Sequence, residues 1–270
     1  MNISSRQNQL FKAINKLLNG RHDVADNSLF RATDTCNLIV LEGVHLCKEW
    51  LLKCGLPLIA VFTNDHTANY ELNDIKSAIP ANIIRTMPYG LLKSLSNISA
   101  SQGVLFVVAK KKVKTPEIIN DNSIMLDQIQ DPGNVGTIIR TAAAAGIKQV
   151  FLSEGCAKAW SPKVLRSAQG AHFIIDIFEQ CELANLIASA DANVYVTSLS
   201  EDSVSLYKLQ IQQPSIWVFG NEGSGVSSKI KSEISNGVYI PLENNVESLN
   251  VASAVSICLF EQKRQAMNAV

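Results

Sequence analysis

The chain has 270 residues, 47% of them apolar and only 18% charged, a balance that supports a buried core and excludes an intrinsically disordered protein. No apolar window is long enough to cross a bilayer, and the opening MNISSRQNQLFKAINKLLNG lacks a signal-peptide pattern, so the sequence reads as a soluble cytoplasmic protein without a membrane partner. Formal net charge is zero, yet residues 1–115 carry 14 Lys+Arg against 8 Asp+Glu and the remainder carries 10 against 16, an asymmetry that points the N-terminal part toward a polyanion.

From the N-terminus, residues 8 to 19 have helical spacing, with Leu10, Phe11, Ile14, Leu17 and Leu18 on one side and Gly20 as a stop. An apolar run CNLIVLEG, a helix HLCKEWLLKCG, a second run LIAVFTND, a less regular stretch from 71 to 100 and a third run GVLFVVAK follow. Strand and helix alternate, which predicts a small α/β domain over 1–108. The segment AKKKVKTPE, with Lys110, Lys111, Lys112 and Lys114 ahead of Pro116, reads as a basic linker over 109–117.

From 118 to 270 the alternation restarts as a second domain. SIMLDQI, KQVFLSE, HFIIDIFE, NVYVTSLS, SIWVFG and GVYIPL are strand candidates, and helices are expected to begin near Asn134, Ser161, Glu182, Val226 and Ser248. Ile, Val and Phe runs without strict alternation suit strands covered on both faces, so a parallel sheet flanked by helices is expected. Six cysteines without a CxxC pair and four scattered histidines read as buried free thiols rather than a metal site; no metal is expected.

Three polar, glycine-bearing stretches fall at the C-terminal ends of strand candidates, where open α/β sheets place their ligands. The first, QDPGNVGTIIRTAAAAG, sets Asn134 and Thr137 at a helix start and puts Arg140 two turns in, among isoleucines and alanines. An arginine there either snorkels its head into water or has a partner to meet. In the second, WVFGNEGSGV, the glycines fall as GxxGxG, not GxGxxG, which excludes a dinucleotide fingerprint. Its glycines permit close backbone approach to a ligand, with Glu222 among them. The third, VYIPLENNVESLNVASAVS, passes from a strand through a polar turn into a small-residue helix opening near Ser248, which could cap it or serve a site. A Walker lysine, a nucleophile elbow and a histidine beside any of these turns are all missing, which argues against a hydrolase.

Together, the ordered motifs DPGNVGTIIRTA, VFGNEGSGV and IPLENNVESLNVASA resemble the SpoU (TrmH) family of RNA ribose 2′-O-methyltransferases within the SPOUT superfamily, over about residues 118 to 265. The N-terminal part is similar, less specifically, to the ribosomal-protein-like substrate-binding domain that many members carry, through LIVLEGVHLCKEWL. The resemblance implies S-adenosylmethionine as methyl donor, a deep C-terminal trefoil knot and a homodimer with the site at or near its interface. It also implies a structured RNA substrate, rRNA before tRNA, with a non-catalytic RNA-binding relative as the alternative class. By the same resemblance Asn134, Arg140, Glu222, Ser248 and Asn250 are the catalytic candidates. Ser198, Leu199, Gly220, Asn221, Gly223, Ile240, Leu242, Ser248 and Leu249 are the cofactor candidates, and Arg166, Ser167 and Gly170 are secondary candidates for substrate contact. One departure stands out: Asn244 occupies a position where family members usually have glycine, and asparagine tolerates positive φ better than most residues.

Overall fold

The computed structural model describes residues 2–21, 27–30, 37–64, 70–96, 102–198, 200, 202–244 and 246–268. It divides into two compact units, one of residues 1–112 with 160–173, the other of residues 113–159 with 174–270.

In the first unit, β1 (Leu38–Glu42), β2 (Ile59–Thr63), β3 (Ile84–Met87) and β4 (Val104–Ala109) form a sheet in the order β1-β4-β2-β3. The β1–β4 and β4–β2 pairs are antiparallel and β2–β3 is parallel. Side chains alternate across a strand, so the unbroken run LIVLE feeds two cores. Leu38 and Val40 pack with Leu10, Phe11 and Ile14 of α1 (Gln9–Leu18). Ile39 and Leu41 pack with Cys47 and Trp50 of α2 (Val44–Lys53) and with Leu72 and Ile75 of α3 (Tyr70–Ser77). The expected helix at 8 to 19 is present. Asn8 caps it, Oδ1 accepting from the amides of Leu10 and Phe11, and Gly20 follows at φ +71°.

The stretch 71 to 100 contains α3, β3 and α4 (Tyr89–Leu95). Strand β3 escaped the sequence pattern because it is an edge strand whose first three residues are only half buried, so neither alternation nor a solid apolar run marks it.

A second departure concerns residues 160–173, which the sequence assigns to the C-terminal domain. They belong to the first unit, carrying α6 (Pro162–Ala168). Leu165, 1% exposed, completes the core around Trp50, and the Phe173 ring meets the Trp50 ring edge-on at 5.2 Å. Apolar character at Trp160, Leu165 and Phe173 is legible in sequence, but which core it fills is not.

The second unit holds one parallel sheet, β7-β6-β5-β10-β8-β11-β9. Its strands are β5 (Ser123–Asp127), β6 (Gln149–Ser153), β7 (Asp176–Cys181), β8 (Asn193–Thr197), β9 (Val204–Ser205), β10 (Ser215–Gly220) and β11 (Gly237–Tyr239). All six strand candidates are therefore strands, and the added β9 is only two residues long. Helices α5 (Pro132–Ala145), α7 (Leu183–Ala188), α8 (Ser228–Lys231) and α9 (Val251–Asn268) connect and cover them.

Helix α5 has an acidic cap, Asp131 Oδ1 accepting from Asn134 N at 2.8 Å, with Pro132 in its first turn and Gly146 left-handed at its end. Each is the residue that those positions favour. The last helix, α9, packs on α5 and sends Gln262 inward, where its Oε1 accepts from Trp217 Nε1 at 2.6 Å and Ser215 Oγ at 2.9 Å. Among the described residues no helix is long and apolar enough to cross a membrane.

Cys47, Cys181 and Cys258 are buried as the sequence predicts, while Cys54 is exposed and Cys156 half-buried; Cys54 sits just past the end of α2, beyond reach of the core. Cys36 lies outside the described residues.

Candidate active site

Strands β5 and β10 are neighbours, and the chain leaves them in opposite directions along the sheet: β5 leads to β6 and β7, whereas β8, β11 and β9 lie beyond β10. Such a reversal opens a crevice at the carboxyl ends of the strands. The three motifs emerge there, because each follows the end of β5, β10 or β11.

The glycine-bearing loop after β10 is held by its own side chains. Asn221 exchanges backbone bonds with Gly225, and its Oδ1 accepts from the amides of Gly223 at 2.9 Å and Ser224 at 3.2 Å. Its Nδ2 donates to the carbonyl of Gln128 at 3.0 Å. A methyl group on Gly220 would overlap the backbone of Gly225 and Val226, and Gly225 sits at φ +69°. Gly220 and Gly225 thus let the loop close on itself.

Beneath the loop lies a residue that sequence reasoning missed. Asp127, 3% exposed at the end of β5, accepts from Ser227 N at 2.8 Å through Oδ2 and from Ser153 Oγ at 3.2 Å through Oδ1. A buried carboxylate needs such partners, and these tie the ends of β5 and β6 to the far end of the loop. The signal was available: SIMLD closes an otherwise apolar strand on an acid.

Three of the five catalytic candidates form a directed chain of hydrogen bonds. Asn250 Oδ1 accepts from the amides of Ala252 at 2.9 Å and Ser253 at 3.4 Å, so Asn250 caps α9 and of the two roles open to Ser248 the cap is not the one it plays. That leaves Asn250 Nδ2 to donate to Asn134 Oδ1 at 3.1 Å. Asn134 Nδ2 must then donate onward, and does so to Glu222 Oε1 at 2.6 Å. A helix end at one terminus and an acceptor-only carboxylate at the other fix the orientation of both amides. The motifs after β5, β10 and β11 are thereby joined.

Arg140 stands apart. It lies six residues beyond Asn134 on α5, about 9 Å along the axis and on another side of the helix. Its side chain is exposed and makes no hydrogen bond or ion pair with the described residues.

A cavity of about 620 Å³ adjoins the loop, within the range of small-molecule sites. Gly220, Asn221, Gly223, Ile240, Leu242 and Leu249 line it, with Ser198 just past β8 and Ser248 in the turn before α9. Every cofactor candidate among the described residues therefore borders one space; Leu199 lies outside those residues. Phe219, Val238 and Val251 add apolar wall, and Glu222, Glu247 and Lys231 add charge. A lining part apolar and part charged suits an adenosine carrying a charged tail. The turn before α9 carries Asn244 at φ +57°, the left-handed backbone for which asparagine is the best substitute for glycine. Of the secondary candidates, Arg166, Ser167 and Gly170 all belong to the first unit, Gly170 at φ +83° within 3.1 Å of Glu49 Cβ for an added methyl.

Residues 121–260 match the profile of the SpoU rRNA Methylase family. Among curated proteins, the chain is 37% identical over 144 residues to the Synechocystis sp. protein named "Uncharacterized tRNA/rRNA methyltransferase slr1673", covering 53% of each. It is 29% identical over 235 residues to the Bacillus subtilis 23S rRNA (guanosine(2553)-2′-O)-methyltransferase RlmP, covering 83% of this chain and 88% of that one. Among solved structures, the AdoMet-bound rRNA methyltransferase from Sinorhizobium meliloti superposes with a TM-score of 0.79 at 22% identity, over 98% of this chain and 97% of that one, a likeness of fold. With the family profile spanning just over half of the chain and its three motifs assembled at one crevice, this protein belongs to the SpoU rRNA methylase family.

Proposed function

We propose that this protein transfers a methyl group from S-adenosylmethionine to a ribose 2′-hydroxyl of structured RNA, ribosomal RNA before tRNA. The observation that carries the reading is the Asn250–Asn134–Glu222 chain at the rim of an amphiphilic cavity. Family membership and the name of the Bacillus subtilis relative support the ribose and the rRNA. When bound, the cofactor supplies an electrophilic methyl group on a sulfonium.

The chain's own residues then bind, orient and exclude water. Ile240, Leu242 and Leu249 offer apolar surface to the adenosine. Ser248, exposed and without a hydrogen bond to the described residues, has its hydroxyl available to the ribose. Asn134 and Asn250, already fixed in orientation, hold Glu222 beside that space. Arg140 presents a planar guanidinium fork, so its part is to grip a phosphate with two parallel bonds and thereby orient the neighbouring hydroxyl. Well-oriented reactants gain about 7–11 kcal/mol from proximity, so positioning suffices as the main source of rate.

The same reading carries a homodimer. The offset of Arg140 from Asn134 supports a site completed at an interface, and Phe260 and Met267, 47% and 71% exposed and seven residues apart, present apolar surface on α9. It also carries a trefoil knot in the second unit, supported by the return of α9 against α5 and β10 after the chain has left for β11.

Incubation with labelled S-adenosylmethionine and separate rRNA and tRNA pools, followed by mapping of the modified nucleotide, tests the reading. Label at a ribose of rRNA is expected. Label confined to tRNA moves the substrate, and no cofactor binding at millimolar concentration removes the enzyme. Arg140→Lys keeps the charge and loses the fork, so near-full activity would rule out the bidentate grip.

A further inference from the structure

We propose that Lys231 is the cofactor-binding cation of this site, pairing with the carboxylate of the methionyl tail; the inference rests on the methyl-donor reading above. Three observations lead to it. Lys231 is the sole cationic side chain among the described residues that line the cavity. It closes α8, and its Nζ stands 3.8 Å from the point where a methyl on Gly225 would sit, so the ammonium overhangs the glycine loop. It has no ion pair with the described residues, whereas its neighbour Lys229 is engaged with Glu182 at 3.3 Å.

The loop cannot take the carboxylate with these amides. The N–H groups of Gly223 and Ser224 go to Asn221 Oδ1, that of Gly225 to the Asn221 carbonyl, and that of Ser227 to Asp127 Oδ2. A loop that elsewhere would receive an anion on its backbone has here spent those four donors on its own closure. The remaining charged lining residues, Glu222 and Glu247, are acids, suited to the ammonium and sulfonium of the ligand and repelling its carboxylate. Charge complementarity therefore leaves one group for the anionic end. An ammonium on a flexible stem is a point charge able to follow a mobile tail.

Calorimetric titrations of the protein and of its Lys231→Met and Lys231→Arg variants provide the test, with S-adenosylhomocysteine and with 5′-methylthioadenosine, which lacks the amino-acid tail. Lys231→Met is expected to weaken S-adenosylhomocysteine about 10-fold and methylthioadenosine less than about 2-fold, with Lys231→Arg near the parent protein. The affinity for S-adenosylhomocysteine should also fall with salt in the parent and hardly at all in Lys231→Met. Equal losses for both ligands would make Lys231 a structural residue of the loop and overturn the proposal. So would unchanged affinity for S-adenosylhomocysteine, including the case in which only RNA binding weakens. If the parent protein binds neither ligand, the methyl-donor reading itself falls, an outcome distinct from either.

Discussion

At the scale of single residues, the site is decided by orientation. An asparagine between a donor amide and a carboxylate has only one way to face, and Asn134 has both neighbours. Asn134→Ala removes the centre of that chain and should lower kcat by about 10²-fold, the usual cost of a displaced reacting group. The KM for the cofactor should change by less than about threefold, because Asn134 is not in the cavity wall; steady-state methyl transfer separates the two. Asn244 makes the opposite case, a residue chosen for its backbone. Asn244→Gly should leave stability within about 1 kcal/mol, whereas a branched side chain at φ +57°, as in Asn244→Val, should cost about 1–2 kcal/mol in urea denaturation. Burial also sets thiol chemistry. Burial pushes the Cys258 thiol up to about 12 and the Cys181 thiol up to about 11, which keeps both protonated in the native protein.

At the scale of elements, α9 serves three purposes along its length. Its capping residue enters the site, its middle is fixed to β10 through Gln262, and its last turns carry an ionic cluster. Gln262→Leu would leave Trp217 Nε1 buried without an acceptor, costing about 1–3 kcal/mol; Ser215 Oγ can turn to Asn122 Oδ1 at 3.2 Å instead. Thermal denaturation of Gln262→Leu and of Gln262→Leu with Trp217→Phe checks this, because the second variant removes the orphaned donor and should recover part of the loss. In the cluster, Arg264 binds Glu261 through Nε at 2.8 Å and Nη2 at 2.7 Å, and Gln265 adds a third bond. The Arg264 hydrogen bond holds the Glu261 carboxyl down at about 2 against an ordinary 4.5. A depressed acid stabilises the fold at pH above its unfolded value and loses that contribution as pH falls through its folded one. Glu261→Gln should therefore lower the melting temperature in the neutral range, where the ionised pair contributes, and flatten its fall between about pH 4.5 and pH 2.

At the scale of the whole molecule, the order of the chain and the order of the units differ, because residues 160–173 leave the second unit to finish the first. Leu165→Ala should cost about 2–5 kcal/mol, the range for a buried leucine. The loss should appear as faster hydrogen exchange at β1 and β4 amides, which lie far from Leu165 in sequence. A fragment ending at residue 117 lacks Trp160, Leu165 and Phe173 and should bind a hydrophobic dye that the full chain excludes. The sequence by itself determined most of the elements, β3 and β9 excepted, since long apolar runs and helical spacing are local, and it determined the three motifs, since each is a continuous stretch following a strand. Their meeting was inferred from strand-end placement, and the crevice between β5 and β10 brings Asn134, Glu222 and Asn250 together. Only the tertiary structure decided that Asn250 and not Ser248 caps α9, that Gly220 makes room for its own loop, and that Asp127 anchors that loop. It alone decided that Leu165 belongs to the first core and that Lys231 faces the cavity. Each of these depends on which distant atom occupies a given point in space, and sequence spacing carries that information only within one helix or one strand.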